Sequence, residues 1–144
     1  AISASETGHL VFGTLSTTTA TATVDRIINA FPPGQQGQIR AMVSESLKAV
    51  ISQTLLPRRG GLGRIAAFEI LRGTSAVGAL IREAKTFQLP GILQTGQLSG
   101  MNTMDQYLLK LAEERKVDAS AAMDRALKKE PFEKLAAEER LEDA

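Results

Sequence analysis

The chain has 144 residues, 43% of them hydrophobic, and its 17 basic and 16 acidic side chains leave a net charge of only +1. That size and composition fit one globular domain with a real core, and so small a net charge argues against nucleic acid or an anionic membrane surface as partner. There is no cysteine, which removes disulfide frameworks, thiolate nucleophiles and cysteine zinc sites and suits a reducing, cytoplasmic compartment, and no apolar run approaches the ~20 residues of a membrane span.

The chain opens at Ala1 without an initiator methionine. That is compatible with a piece cut from something longer, or with processing. The run His9 to Leu15, "HLVFGTL", carries few charges and ends in the hydroxyl cluster "STTTA". It reads as a buried strand followed by a polar loop in which Thr17 or Thr18 caps a helix. Ala20, Val24, Ile27, Ile28 and Phe31 then recur at helical spacing until "PPG" at Pro32 to Gly34 stops the stripe. A second helix begins near Gln36, with Ile39, Met42, Val43, Leu47 and Val50 in register.

Two β-capable runs flank the glycine-rich "RRGGLGR", which predicts a hairpin with strands near Val50 to Leu56 and Arg64 to Leu71. Continuation of the preceding helix to Thr54 is the competing assignment. After Gly73, Thr74 or Ser75 caps a short helix whose Val77, Leu80 and Ile81 face inward, and "FQLPGILQTGQ" predicts a broken turn around Pro90. Thr103 and Gln106 have capping-box spacing ahead of Met104, Leu108 and Leu111, and Asp118 is placed to cap a further helix. The last residues, "EKLAAEERLEDA", read as a solvated helix or a frayed tail. An α/β organisation follows. Residues 1–72 carry the strands, 73–131 form a helical subdomain, and 132–144 a charged helix or tail.

Chemistry is sparse. A phosphate-binding loop needs a glycine-rich turn followed by lysine and a hydroxyl, whereas "GGLG" at Gly60 to Gly63 is followed by Arg64. A hairpin turn is the better reading of it. His9 is the only histidine. General base, phosphate sensor and packed histidine bonded to backbone are all open to it, and packing is the commonest fate of a lone histidine. Ser16 lies at the far end of the expected strand, roughly 23 Å away at ~3.3 Å per residue, so direct pairing with His9 is not expected. Thr14 and Ser16 to Thr19 could set hydroxyls and helix-start amides beside an anion, though such hydroxyls are usually caps. Arg58 and Arg59 sit on the expected turn and could reach a phosphate or an acidic neighbour, although arginines there are usually just solvated. One histidine, no cysteine and carboxylates confined mostly to the C-terminal helices argue against a metal site.

The residues also carry a resemblance. "ETGHLVFGTLSTTTA", "VDRIINAFPP", "VSESLKAVISQTLLP", "GRIAAFEIL" and "GALIREAK", in that order from about Ser5 to Leu111, resemble the C-terminal part of the type IV pilus retraction ATPases of the secretion-ATPase superfamily. The resemblance implies part of a RecA-like P-loop ATPase core, with about three strands, followed by a helical subdomain. It implies a hexameric motor that retracts pili in twitching motility, with ATP and Mg as cofactors of the parent protein. No cofactor is expected to be held tightly by this chain alone. Implied partners are further copies of the chain and the inner-membrane platform of the pilus machine, at whose cytoplasmic base the motor would sit.

By the same resemblance Gly8, His9, Leu10, Thr14 and Leu15 match a histidine box, with His9 catalytic and beside the terminal phosphate. Gly8, Thr14 and Ser16 fall on the nucleotide side, Ser16 standing where the family has a second histidine. Ala76, Leu80, Ile81, Arg82 and Glu83 match a helix implicated in retraction, in which Gly78 and Ala79 replace an Arg and an Asn. The segments that bind ATP precede the counterpart of Glu6, so this chain lacks the ATP-binding loop and should not turn over ATP by itself. The alternatives are a portion of a pilus-assembly or type II secretion ATPase, or a catalytically silent interaction module.

Overall fold

The computed structural model describes residues 1–144. Eight α-helices, two strands and two short 3-10 turns make up the chain. The helices are α1 (Ile2–Glu6), α2 (Ala20–Asn29), α3 (Pro33–Ser46), α4 (Ser75–Arg82), α5 (Leu89–Thr95), α6 (Met104–Glu113), α7 (Ala119–Arg125) and α8 (Glu130–Glu142); the strands are β1 (Ala49–Pro57) and β2 (Arg64–Arg72). Both strands belong to one antiparallel hairpin, in register Val50 to Leu71, Ser52 to Glu69 and Leu56 to Ile65. The β-branched and aliphatic residues of each run alternate between faces, as a half-buried strand requires. That settles the hairpin over helix continuation into Thr54. Its turn is closed by Gly60, Gly61 and Gly63, all at positive φ, a conformation that costs glycine little.

Helices cover one face of this hairpin from both ends. Near its open end Val50 and Leu71 join Val24, Ile28, Val43, Val77, Ile81 and Leu93 in one buried apolar cluster. Toward the turn, Leu56 and Ala67 join Leu108, Leu111, Val117, Ala122, Phe132 and Ala136 in a second. On the same face, between the two, lie the paired Ser52 and Glu69, both buried. The inner surface of the hairpin therefore reads apolar, polar, apolar.

Caps explain where the helices begin. Thr19, rather than Thr17 or Thr18, caps α2 by accepting from the Ala22 amide at 3.1 Å. Thr74 caps α4 through the Val77 amide, and Thr103 with Gln106 forms a complete capping box on α6. Pro90 does not break the chain: it occupies the first turn of α5, where a missing amide hydrogen costs nothing. Asp118 holds the cap position of α7 without making the cap bond. The carboxylate of Glu139 on α8 does so instead, accepting from the Ala119 amide at 2.9 Å.

Two further expectations are corrected. The run His9–Leu15 is not a strand, so the sheet has two strands rather than three. Its apolar side chains point to solvent, Leu10 at 78% and Phe12 at 88% exposure, because a strand exists only by bonding its backbone to a neighbour and none lies alongside. The C-terminal segment is a helix, as one alternative had it, but not a solvated one: Phe132 and Ala136 are buried in the second cluster. Of the two readings of Arg59, solvated or paired with an acidic neighbour, the structure has the second: it is bound to Glu139 at 3.0 Å and lies 3.6 Å from Asp118, which fastens the hairpin turn to α7 and α8.

Candidate functional site

The stretch "ETGH" is a helix ending. Helix α1 stops at Glu6, Thr7 follows as its cap residue, and Gly8 turns to φ +92°. The Gly8 amide donates to the Ser5 carbonyl at 3.3 Å and the His9 amide to the Ala4 carbonyl at 3.2 Å. These are the two bonds of a Schellman motif, with glycine at the left-handed position where a Cβ would be strained. Gly8 is thus required by the turn, and the turn aims the histidine.

The His9 ring lies 3.2 Å through Nδ1 from the Ala4 carbonyl oxygen and 3.1 Å from Thr7 Oγ1. A carbonyl only accepts, so Nδ1 carries the proton. In the neutral ring Nε2 then keeps its lone pair; it makes no hydrogen bond within the chain and belongs to an exposed side chain. In this tautomer the ring can accept a proton or a hydrogen bond at Nε2 while Nδ1 holds its orientation. The histidine is neither buried nor packed.

Beyond it the chain runs from Leu10 to Thr18 without a backbone hydrogen bond between main-chain groups, and Thr14 is exposed within it. Ser16 reappears at the rim of an open groove of about 580 Å³ lined by Thr17, Thr18, Ala22, Asp25, Arg26 and Asn29. Thr23 spends its hydroxyl hydrogen on the Thr19 carbonyl at 2.8 Å, so Thr17 is the donor in the 2.6 Å contact between the Thr17 and Thr23 hydroxyls. Asp25 accepts from Thr86 at 2.7 Å, tying this wall to the 3-10 turn Thr86–Gln88. Ser16 and His9 make no hydrogen bond to each other.

The first amide of α2, which could have met an anion, is already occupied. Ala20 N donates to Glu69 Oε1 at 2.8 Å, and the other oxygen of that carboxylate takes the Met104 amide, the first of α6, at 3.1 Å. Sequence reasoning passed over Glu69. The one signal it left is a lone acid inside the apolar run "RIAAFEILR".

The helix Ala76 to Arg82 packs on α3. Ile81 is buried, Leu80 is half-buried, and Ala76, Arg82 and Glu83 are exposed. Gly78 is buried there, and a Cβ on it would stand 2.8 Å from the Ser44 carbonyl oxygen, so the close approach of α4 to α3 depends on its being glycine. Arg82 reaches back to the Ser44 hydroxyl at 3.1 Å. Glu83 pairs with Lys85 at 2.9 Å, and the hydrogen bond and charge of that ammonium, with a smaller contribution from Arg82, hold its carboxyl below the usual carboxylate range. No three His, Cys, Asp or Glu side chains converge on a point that could hold a metal ion, and no helix is long and apolar enough to cross a membrane.

No family model matches the chain. A twitching motility protein of Neisseria gonorrhoeae is 55% identical to it over 126 residues, covering 88% of this chain and 34% of the relative. The type IV pilus retraction ATPase PilT of Pseudomonas aeruginosa is 47% identical over 132 residues, covering 92% of this chain and 38% of that protein. The chain matches the C-terminal part of PilT. A solved structure of the pilus retraction motor PilT with bound ADP shares its α/β fold at a TM-score of 0.78 and 42% identity, over 92% of this chain and 37% of the PilT chain. The present chain therefore spans about a third of the length of these relatives.

Proposed function

We propose that the chain is the C-terminal portion of a hexameric PilT-like motor ATPase, completing a RecA-like core and powering type IV pilus retraction by ATP hydrolysis. The observation that carries this reading is the identity to PilT across nearly the whole chain. In the complete motor, working at the cytoplasmic base of the pilus against its inner-membrane platform, ATP and Mg would be held mainly by residues outside these 144. Hydrolysis there is chiefly a matter of positioning and charge stabilisation.

What this chain adds is the Gly8–His9 turn and the hydroxyl rim. His9 Nε2, exposed and without a partner, is the atom suited to meet the terminal phosphate or the attacking water. Gly8 sets the angle of the ring, and Thr14 and Ser16 supply hydroxyls on the same side of the box. Ser16 has no acid–base capacity near neutral pH, so the box works through a single histidine. Helix α4, with Arg82 and the following Glu83 exposed beyond the buried Ile81, is the segment we read as serving retraction.

A chimera tests this: this chain replaces the corresponding C-terminal part of a PilT, and the fusion is expressed in a host lacking its own retraction motor. The fusion should hydrolyse ATP and restore twitching, and His9→Ala should abolish both. A folded hexameric fusion that hydrolyses ATP equally well with His9→Ala would overturn the assignment of His9. One that hydrolyses ATP yet gives no twitching would overturn retraction.

A further inference from the structure

We propose that Glu69 is a positioning residue that couples the groove wall on α2 to the start of α6, so that a change at either helix start is felt at the other. The residue is only 5% exposed, and its carboxylate is satisfied by two backbone amides, from Ala20 and Met104. Those amides are the first of two helices that lie far apart in sequence and belong to different apolar clusters. Both are positive helix ends, so each dipole favours the buried negative charge. No lysine or arginine pairs with Glu69 in place of them.

That arrangement makes the two bonds interdependent. A buried carboxylate that loses one of two donors is left partly unsatisfied, which is costly, and the remaining bond must readjust with it. Fraying at α6 therefore weakens the bond that seats Ala20, and with it the segment Ser16 to Thr19 at the groove. Coupling of this kind is reciprocal. It follows from the geometry of the carboxylate and holds whatever the groove binds.

The test uses amide hydrogen exchange, read by NMR on the 144-residue chain. Thr103→Ala removes the α6 cap, and Thr19→Ala removes the α2 cap. We expect Thr103→Ala to speed exchange of Ala20 to Thr23, and Thr19→Ala to speed exchange of Met104 to Gln106, each by about five-fold, the size of one lost cap. Thr74→Ala, an equivalent loss on α4, should leave both regions unchanged. In a Glu69→Gln background the cross effects should vanish, because the carboxamide replaces one of the two accepting oxygens with an NH2 that only donates and so turns a donor toward one of the two amides.

Cross effects below about two-fold in the native background, the range expected of independent sites, overturn the proposal. So does an equal effect from Thr74→Ala, which would mean general loosening, or cross effects that persist in Glu69→Gln. Should Glu69→Gln not fold, the three cap variants in the native background decide the matter on their own.

Discussion

Replacing Phe132 with alanine asks whether α8 is part of the core or an appendage. The ring is completely buried against the turn end of the hairpin and the helices α6 and α7. A buried phenylalanine removes at least ~150 Å² from water, which at ~25 cal/mol per Å² is about 4 kcal/mol, inside the 3–5 kcal/mol typical of Phe→Ala in cores. That is a large share of the ~5–15 kcal/mol stability of an ordinary domain. Urea unfolding followed by far-ultraviolet circular dichroism measures it, with the midpoint falling at nearly constant slope. Leu141, on the same helix but 80% exposed, is the internal control, and its alanine variant should stay within about 0.5 kcal/mol of the native chain. A loss below about 1 kcal/mol for Phe132→Ala would refute the packing argument and return α8 to a solvated helix.

Two other outcomes follow from local geometry. A Cβ on Gly73 would lie 1.8 Å from the Leu47 carbonyl oxygen, so Gly73→Ala must push the open end of the hairpin apart. It should cost at least about 2 kcal/mol, and a variant that melts at the native temperature would contradict the close approach. Glu83 should titrate below an ordinary glutamate and return toward it in Lys85→Ala, as read by side-chain carboxyl NMR shifts. Because its folded pKa is lowered, the contribution to stability is present above the unfolded carboxylate range and fades as pH falls through the folded value. Exposure keeps that contribution small. Identical titration with and without Lys85 would count against the pairing.

Features with a local cause were legible in the sequence. The hairpin followed from alternating residues around three glycines, and the Thr103–Gln106 box from its spacing alone. The strand expected at His9 to Leu15 failed because a run of β-formers states only a capacity, and its hydrogen-bonding neighbour is not supplied within these 144 residues. Helix α1, "ISASE", buries no residue fully, so its periodicity left no trace, and the turn that orients His9 was invisible with it. Phe132, Leu135 and Ala136 do stand at helical spacing, but the charged residues around them outweighed so short a stripe. For the candidate site, the position of His9 came from resemblance and its separation from Ser16 from chain length, whereas its exposure and the partners of its Nδ1 came only from coordinates. Glu69 escaped because a buried acid is legible only once its distant amides are known.

The polar pair Ser52–Glu69 divides the inner face of the hairpin between two apolar clusters, and yet both clusters stand on the same two strands. Neither can dissolve without stripping one end of that shared floor, and the carboxylate at its middle is bonded into both sides. The consequence is cooperativity without a continuous apolar core. Probes placed in either half should report one all-or-none transition, where two merely adjacent pieces would report two.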